Sequence, residues 1–145
     1  MQISSKMLDD QSKKAIVQAI QLAEAKTSGE LRVHFDSKGG TNPFEEAKRI
    51  FEQLGMTQTV ERNGVLIYLC FPRKQIAILG DKGIYERVPE NFWDDTYNTM
   101  ANAFQKGEYE AGICDAIENI GTNLSRHFPV RSTNPNELSD EITES

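Results

Sequence analysis

The sequence predicts an α/β domain around a small mixed sheet of three or four strands. Three features point there. Glu30 to Asp36 alternates polar and apolar residues with period two, the pattern of a strand. Val65 to Phe71 is a continuous apolar run, as in a central strand covered on both faces. The segments around them carry apolar residues at helical spacing.

Taken in order, residues 9 to 27 place Ile16, Ile20 and Ala23 on one helical face, with Ala19 and Leu22 beside it. Asp9, Asp10 and Ser12 suit the start of that helix, because short polar side chains satisfy its first amides. Thr27-Ser28-Gly29 ends the periodicity, and the first strand follows with Leu31, Val33 and Phe35 toward the core and Glu30, Arg32 and His34 on a polar face. Asn42-Pro43, with Glu45 and Glu46 in the first turn, opens a second helix that runs to Leu54 and stops at Gly55. Met56 to Val60, rich in Thr and Val, is expected as a short extra strand. Asn63-Gly64 opens the buried strand, Pro72-Arg73-Lys74 turns the chain, and Gln75 to Leu79 returns antiparallel. Helices are expected over Pro89 to Gln105 and Glu108 to His127, separated by Gly107 and closed by Pro129.

The 145 residues show no break in composition before the last sixteen, which fits one domain over 1–129 and a tail over 130–145. The tail has four acids against one base, is rich in Ser, Thr, Asn and Pro, and is expected to be a disordered, solvated segment, with a protein partner as the alternative use. A net charge of −6 with no basic stripe argues against nucleic acid. The longest apolar run falls far short of the roughly 20 residues a membrane span needs, and no apolar signal region opens the sequence, so a cytoplasmic location away from membranes is expected. Cys70 and Cys114 lack metal-pair or Cys-x-x-Cys spacing and read as small core residues.

A helical crossover joins parallel neighbours and a hairpin reverses direction, so three segments should share one edge of the sheet. They are the start of the first strand at Ser28 to Glu30, the start of the second at Glu61 to Gly64, and the turn Gly80-Asp81-Lys82-Gly83 after the third. Glu30, Glu61, Asn63 and Asp81, with Glu86 close behind, would then gather oxygen ligands, and such like charges require compensation. Arg62 or Lys82 can supply it as an ion pair; a divalent cation can supply it as a metal site. An all-oxygen set favours calcium or magnesium over zinc.

At these residues the sequence resembles the TPM domain, the family of thylakoid-lumen photosystem II repair proteins and many bacterial membrane-anchored relatives. The resemblance spans about residues 8–128. It is carried by Ser28-Gly29-Glu30, Arg62-Asn63-Gly64-Val65-Leu66, Arg73-Lys74, the turn Gly80 to Gly83 with Glu86, and Phe104 to Tyr109 with Gly112. It implies a three-layer αβα sandwich in which loops from different strand ends cross and bind divalent metal. Glu30, Asn63, Asp81 and Glu86 fall at motif positions, while Glu61 is added by proximity. The resemblance also implies an acid phosphatase activity, known for some members, as an alternative to a binding or regulatory role for a stand-alone domain.

Other chemistries find little support. Cys70-Phe71-Pro72-Arg73 lacks the phosphate-cradling loop of a cysteine phosphatase, and Ser28 and Ser37 have no histidine base in view. His127 ends a helix, and His34 is expected at the surface or in a hydrogen bond on the polar face of its strand. Gly39-Gly40 is not followed by a nucleotide-binding pattern. Phe92, Trp93 and Tyr97 read as core, and Asp94 and Asp95 as a solvated face.

Overall fold

The structure, a computed structural model, describes residues 8–130 and 142–145. Its helices are α1 (Asp10–Glu24), α2 (Pro43–Gln53), α3 (Lys82–Tyr85), α4 (Phe92–Gln105) and α5 (Tyr109–His127), and its strands are β1 (Glu30–Phe35), β2 (Gly64–Cys70), β3 (Gln75–Gly80) and β4 (Thr143–Glu144). The sheet order is β3-β2-β1-β4, with β2 antiparallel to β3 and β1 parallel to both β2 and β4.

Local chemistry sets the helix starts. Asp9 accepts the Ser12 amide at the head of α1, and Asn42 accepts the Phe44 and Glu45 amides at the head of α2, where Pro43 has no amide to satisfy. Two apolar layers then close on the sheet. Leu31, Val33 and Phe35 of β1 and Val65, Ile67 and Leu69 of β2 pack with Ile16, Ile20, Met100, Ile113, Ile117 and Ile120 from α1, α4 and α5. Leu66, Tyr68 and Cys70 point the other way, to Ala47, Ile50 and Phe51 of α2 and to Met56. Each face of β2 therefore has its own apolar layer, which explains a strand with no alternation. The result is a three-layer sandwich, α2 on one side and α1, α4 and α5 on the other.

Several details depart from the sequence reading; Tyr97 of α4, expected in the core, is 41% exposed. Met56–Gln58 forms a 3-10 turn in place of a strand, because Gly55 takes a left-handed conformation (φ 71°) and the chain winds on to bury Met56. Asp81 starts a short helix, α3, that was not expected. The polar face of β1 is buried along with its apolar face: Glu30, Arg32 and His34 are each under a tenth exposed. Finally, Thr143–Glu144 joins the sheet beside β1 instead of remaining a solvated tail, while the expectation of disorder for 131–141 falls outside the described residues. Among the described residues no helix is long and apolar enough to cross a membrane.

Candidate functional site

The three predicted segments do meet at one end of the sheet. Glu30 pairs with Gly64 and Val65 with Gly80, so the starts of β1 and β2 and the end of β3 lie side by side. Backbone bonds tie the loops together: Asp81 N–H donates to Gly64 O at 2.9 Å, Gly83 N–H to Arg62 O at 3.0 Å and Glu30 N–H to Asn63 O at 3.3 Å. The crossing is so close that a Cβ on Gly83 would stand 2.3 Å from Glu61 O and 2.7 Å from Arg62 O, distances only glycine permits. Arg62 itself holds φ at 52°, a left-handed conformation that costs a non-glycine residue on the order of 1 kcal/mol and persists only where its surroundings enforce it.

The polar side chains divide into two groups. In the first, Arg62 Nε donates to Asp81 Oδ2 at 2.6 Å and Nη2 to Oδ1 at 2.9 Å, a two-pronged ion pair over a carboxylate that is nearly buried. Oδ1 also accepts the Lys82 amide at 2.8 Å as the cap of α3. The Asp81 hydrogen bonds raise the Arg62 guanidinium further above its ordinary value. In the second, Ser28 Oγ donates to Glu61 Oε2 at 2.8 Å, and Asn63 Nδ2 donates to the same oxygen at 3.2 Å and to Ser28 Oγ at 3.3 Å. Asn63 is 1% exposed, and its Oδ1 is buried without a hydrogen-bond partner. Buried carbonyl oxygens are seldom left so, since the lost hydration costs about 1–3 kcal/mol.

Of the five residues proposed from sequence, Glu61 and Asn63 are brought together, with Ser28 added. Glu30 is buried next to them at the head of β1. Asp81 faces Arg62, and Glu86 lies exposed at the C-terminal cap of α3. Among the described residues no three acidic, histidine or cysteine side chains approach closely enough to hold a metal by themselves, so the expected crowd of carboxylates is not formed. Arg62 explains why: it neutralises Asp81 and removes that group's need for another cation. A hollow of about 150 Å³ between α2 and the turn, lined in part by Lys48, Phe51, Thr57 and Asp81, is the space beside the crossing.

The chain's similarities agree with this geometry. A family model described as the TPM domain matches residues 2–123. This chain belongs to that family. Among solved structures, the BA42 protein from the psychrophilic bacterium Bizionia argentinensis, determined by NMR, is 36% identical, with all of this chain and 97% of that one covered and a TM-score of 0.87. The N-terminal domain of a protein from P. gingivalis, at 16% identity, covers 86% of this chain and 83% of its own, with a TM-score of 0.67. The N-terminal domain of cg2496 from Corynebacterium glutamicum, also 16% identical, covers 99% and 82% with a TM-score of 0.54. These last two share the fold. No curated protein matches the chain.

Outside the crossing, the two thiols and Asp36 of this TPM domain are set by burial and hydrogen bonding. Burial pushes the Cys70 thiol up and the Cys114 thiol up to about 11, so neither is a ready thiolate nucleophile. Burial would raise the Asp36 carboxyl, but bonds from Tyr68 Oη and the Gly39 and Lys38 amides outweigh it and hold the group below its usual 3.8. The sequence gives Ser28 no catalytic role, since no histidine base is in view. Its place just ahead of Glu30, at an edge already rich in acids, was the available signal.

Proposed function

We propose that this TPM domain binds a divalent cation, calcium or magnesium, where the loops around Asn63 and Gly83 cross, and serves as a binding or regulatory module. The observation that carries this reading is the partnerless Oδ1 of Asn63, buried in the corner where Ser28 and Glu61 also lie. Amide, hydroxyl and carboxylate oxygens are the hard donors these two ions select. Glu61, Asn63 and Ser28 would hold the ion, with Glu30 adjoining. Asp81 is already engaged by Arg62, and Glu86 lies exposed at the C-terminal cap of α3. A cation would add its charge beside the Glu61 carboxylate, which accepts hydrogen bonds from Ser28 and Asn63.

Metal-dependent phosphomonoester hydrolysis has weaker support. The hollow of about 150 Å³ beside the crossing is smaller than the roughly 300–1,000 Å³ typical of small-molecule sites. Titration with millimolar calcium or magnesium should raise the melting temperature, because a ligand at a hundred times its dissociation constant stabilises the folded state by about 2.7 kcal/mol. The shift should vanish in Glu61→Gln and persist in Glu86→Gln. A melting temperature unmoved by either ion would end the proposal, and an undiminished shift in Glu61→Gln would move the site elsewhere.

A further inference from the structure

Polar groups also meet at the far end of β1, where β4 lies beside it. His34 is 2% exposed, and both of its ring nitrogens are taken by hydroxyls of one distant segment: Nδ1 lies 2.8 Å from Thr143 Oγ1 and Nε2 lies 2.8 Å from Ser145 Oγ. The backbone of that segment is fixed as well, with Ser145 N–H donating to Phe35 O and Ser37 N–H to Ser145 O, each at 2.9 Å. Ile142 packs against the apolar layer that holds Ile16 and Ile20, and Glu144 reaches Lys13 at 3.9 Å.

Hydrogen bonding sets the form of the ring. A neutral imidazole carries one N–H and one bare nitrogen, so one hydroxyl accepts from it and the other donates to it. Thr143 Oγ1 directs its own proton to Val33 O at 3.4 Å, which assigns it as the acceptor from Nδ1–H and leaves Ser145 Oγ–H to donate to Nε2. A second proton on the ring makes Nε2 a donor, and the Ser145 hydroxyl then has to turn its proton away. The same proton places a charge in a buried spot whose two direct partners are neutral.

Charged groups near the ring pull in both directions. Asp36, just past β1, and Glu144 on β4 favour the imidazolium, while Arg49 on α2 and Arg32 on β1 oppose it; Tyr68 of β2 stacks beside the ring with centroids 6.2 Å apart. Burial outweighs the two acids and sets the ring's pKa below its ordinary 6.5. With β4 away, the ring loses both hydroxyls and meets water, and its affinity for a proton returns toward the ordinary value. Above pH 6.5 neither form is protonated and the hold on β4 is complete; as the pH falls from 6.5 toward the depressed value, proton uptake favours the open form. A short segment can open in this way without the rest of the domain unfolding.

We propose that His34 and β4 form a pH-sensitive clasp, in which the neutral imidazole holds residues 142–145 against β1 and protonation of the ring releases them while the rest of the sheet stays intact.

The test is amide exchange and ring titration by NMR on the full chain. Between pH 7.5 and 5.5, protection factors at Ser37 and Ser145 should fall by up to about tenfold, the limit for a group with an ordinary pKa of 6.5 in the open form that stays neutral in the closed one. Protection at Gly83, whose amide is bound to Arg62 O in the loop crossing, should hold. In His34→Gln, whose amide keeps one donor and one acceptor but does not titrate, the fall at Ser37 should disappear. Ser145→Pro removes the hydroxyl at Nε2 and the amide bound to Phe35 O, and it should move the midpoint of the His34 ring up toward 6.5. A fall of less than twofold at Ser37 in the wild type, an equal fall at Gly83, or an equal fall in folded His34→Gln would overturn the proposal. So would a ring midpoint unmoved by Ser145→Pro, since β4 would then not be what shields the ring, and this arm stands even where His34→Gln fails to fold.

Discussion

At the head of β1 the buried polar groups are met by charge, and at its far end they are met by hydroxyls. Asp81 faces a guanidinium that reaches both its oxygens, from a residue whose own backbone is forced to φ 52°. His34 faces Thr143 and Ser145, neutral groups on a segment that pairs with β1 through its backbone and reaches Lys13 from Glu144 at 3.9 Å. The first arrangement is locked by the crossing of two loops whose neighbours are all in the sheet. The second depends on Thr143 and Ser145, more than a hundred positions away in sequence. The difference teaches that burial alone does not say how a polar group is satisfied: His34 and Asp81 are both under a tenth exposed, yet one is met by hydroxyls from a distant strand and the other by a guanidinium across a loop crossing.

The largest expected effect tests the fixed end. Gly83→Ala pushes a methyl group into two backbone carbonyls and should destabilise the protein by about 3 kcal/mol, at the upper end for overpacking, as read from the midpoint of urea unfolding. A loss under 1 kcal/mol would mean that the crossing yields easily, and the contrast between the two ends would fail. Next comes Asp81→Ala, which removes the cap of α3 together with Arg62's partner and should cost about 1–2 kcal/mol in the same measurement. At the far end of β1, Thr143→Ala should cost about 1 kcal/mol, because it takes a partner from the buried His34 ring, and it should raise amide exchange at Ser37, whose proton is bound to Ser145 O. Protected exchange at Ser37 in that variant would show the segment to be as firmly held as the loop crossing.

The smallest effect is a pH slope. Burial depresses the His34 pKa below its ordinary 6.5, against the pull of Asp36 and Glu144 and with a smaller contribution from Arg49 and Arg32. The unfolded chain then takes up a proton at a pH where the folded chain does not. Stability from this group is full above pH 6.5 and lost as the pH falls through the depressed value. Asp36, held below 3.8, adds a loss only in stronger acid. Urea midpoints should therefore decline between pH 7 and 5 in the wild type and flatten in His34→Gln; parallel declines would assign the slope to other groups.

Much of this was legible in the residues. The apolar run of β2, the period-two pattern of β1, the caps of α1 and α2 and the hairpin each follow from local rules, and strand directions alone placed Glu61, Asn63 and Asp81 on one edge. The pairing of Asp81 with Arg62 instead of with a crowd of carboxylates was not legible, because rotamers and the left-handed turn at Arg62 decide it. Nor was the burial of Glu30, Arg32 and His34, which depends on what lies over the polar face of β1. Thr143 and Ser145 were hidden for a further reason: Ile142 to Ser145 does alternate, but four residues in an acidic, proline-containing segment carry too weak a signal to be read as a strand.

The place of β4 has a consequence for how the protein is made. Thr143 and Glu144 pair with residues encoded over a hundred codons earlier, so during translation the sheet's other three strands leave the ribosome before their fourth neighbour exists. At synthesis rates of about 5–20 residues per second, the edge of β1 stays open for several seconds in the nascent chain. A chaperone that captures exposed strand edges would meet β1 in that interval, before Thr143 and Glu144 can pair with it.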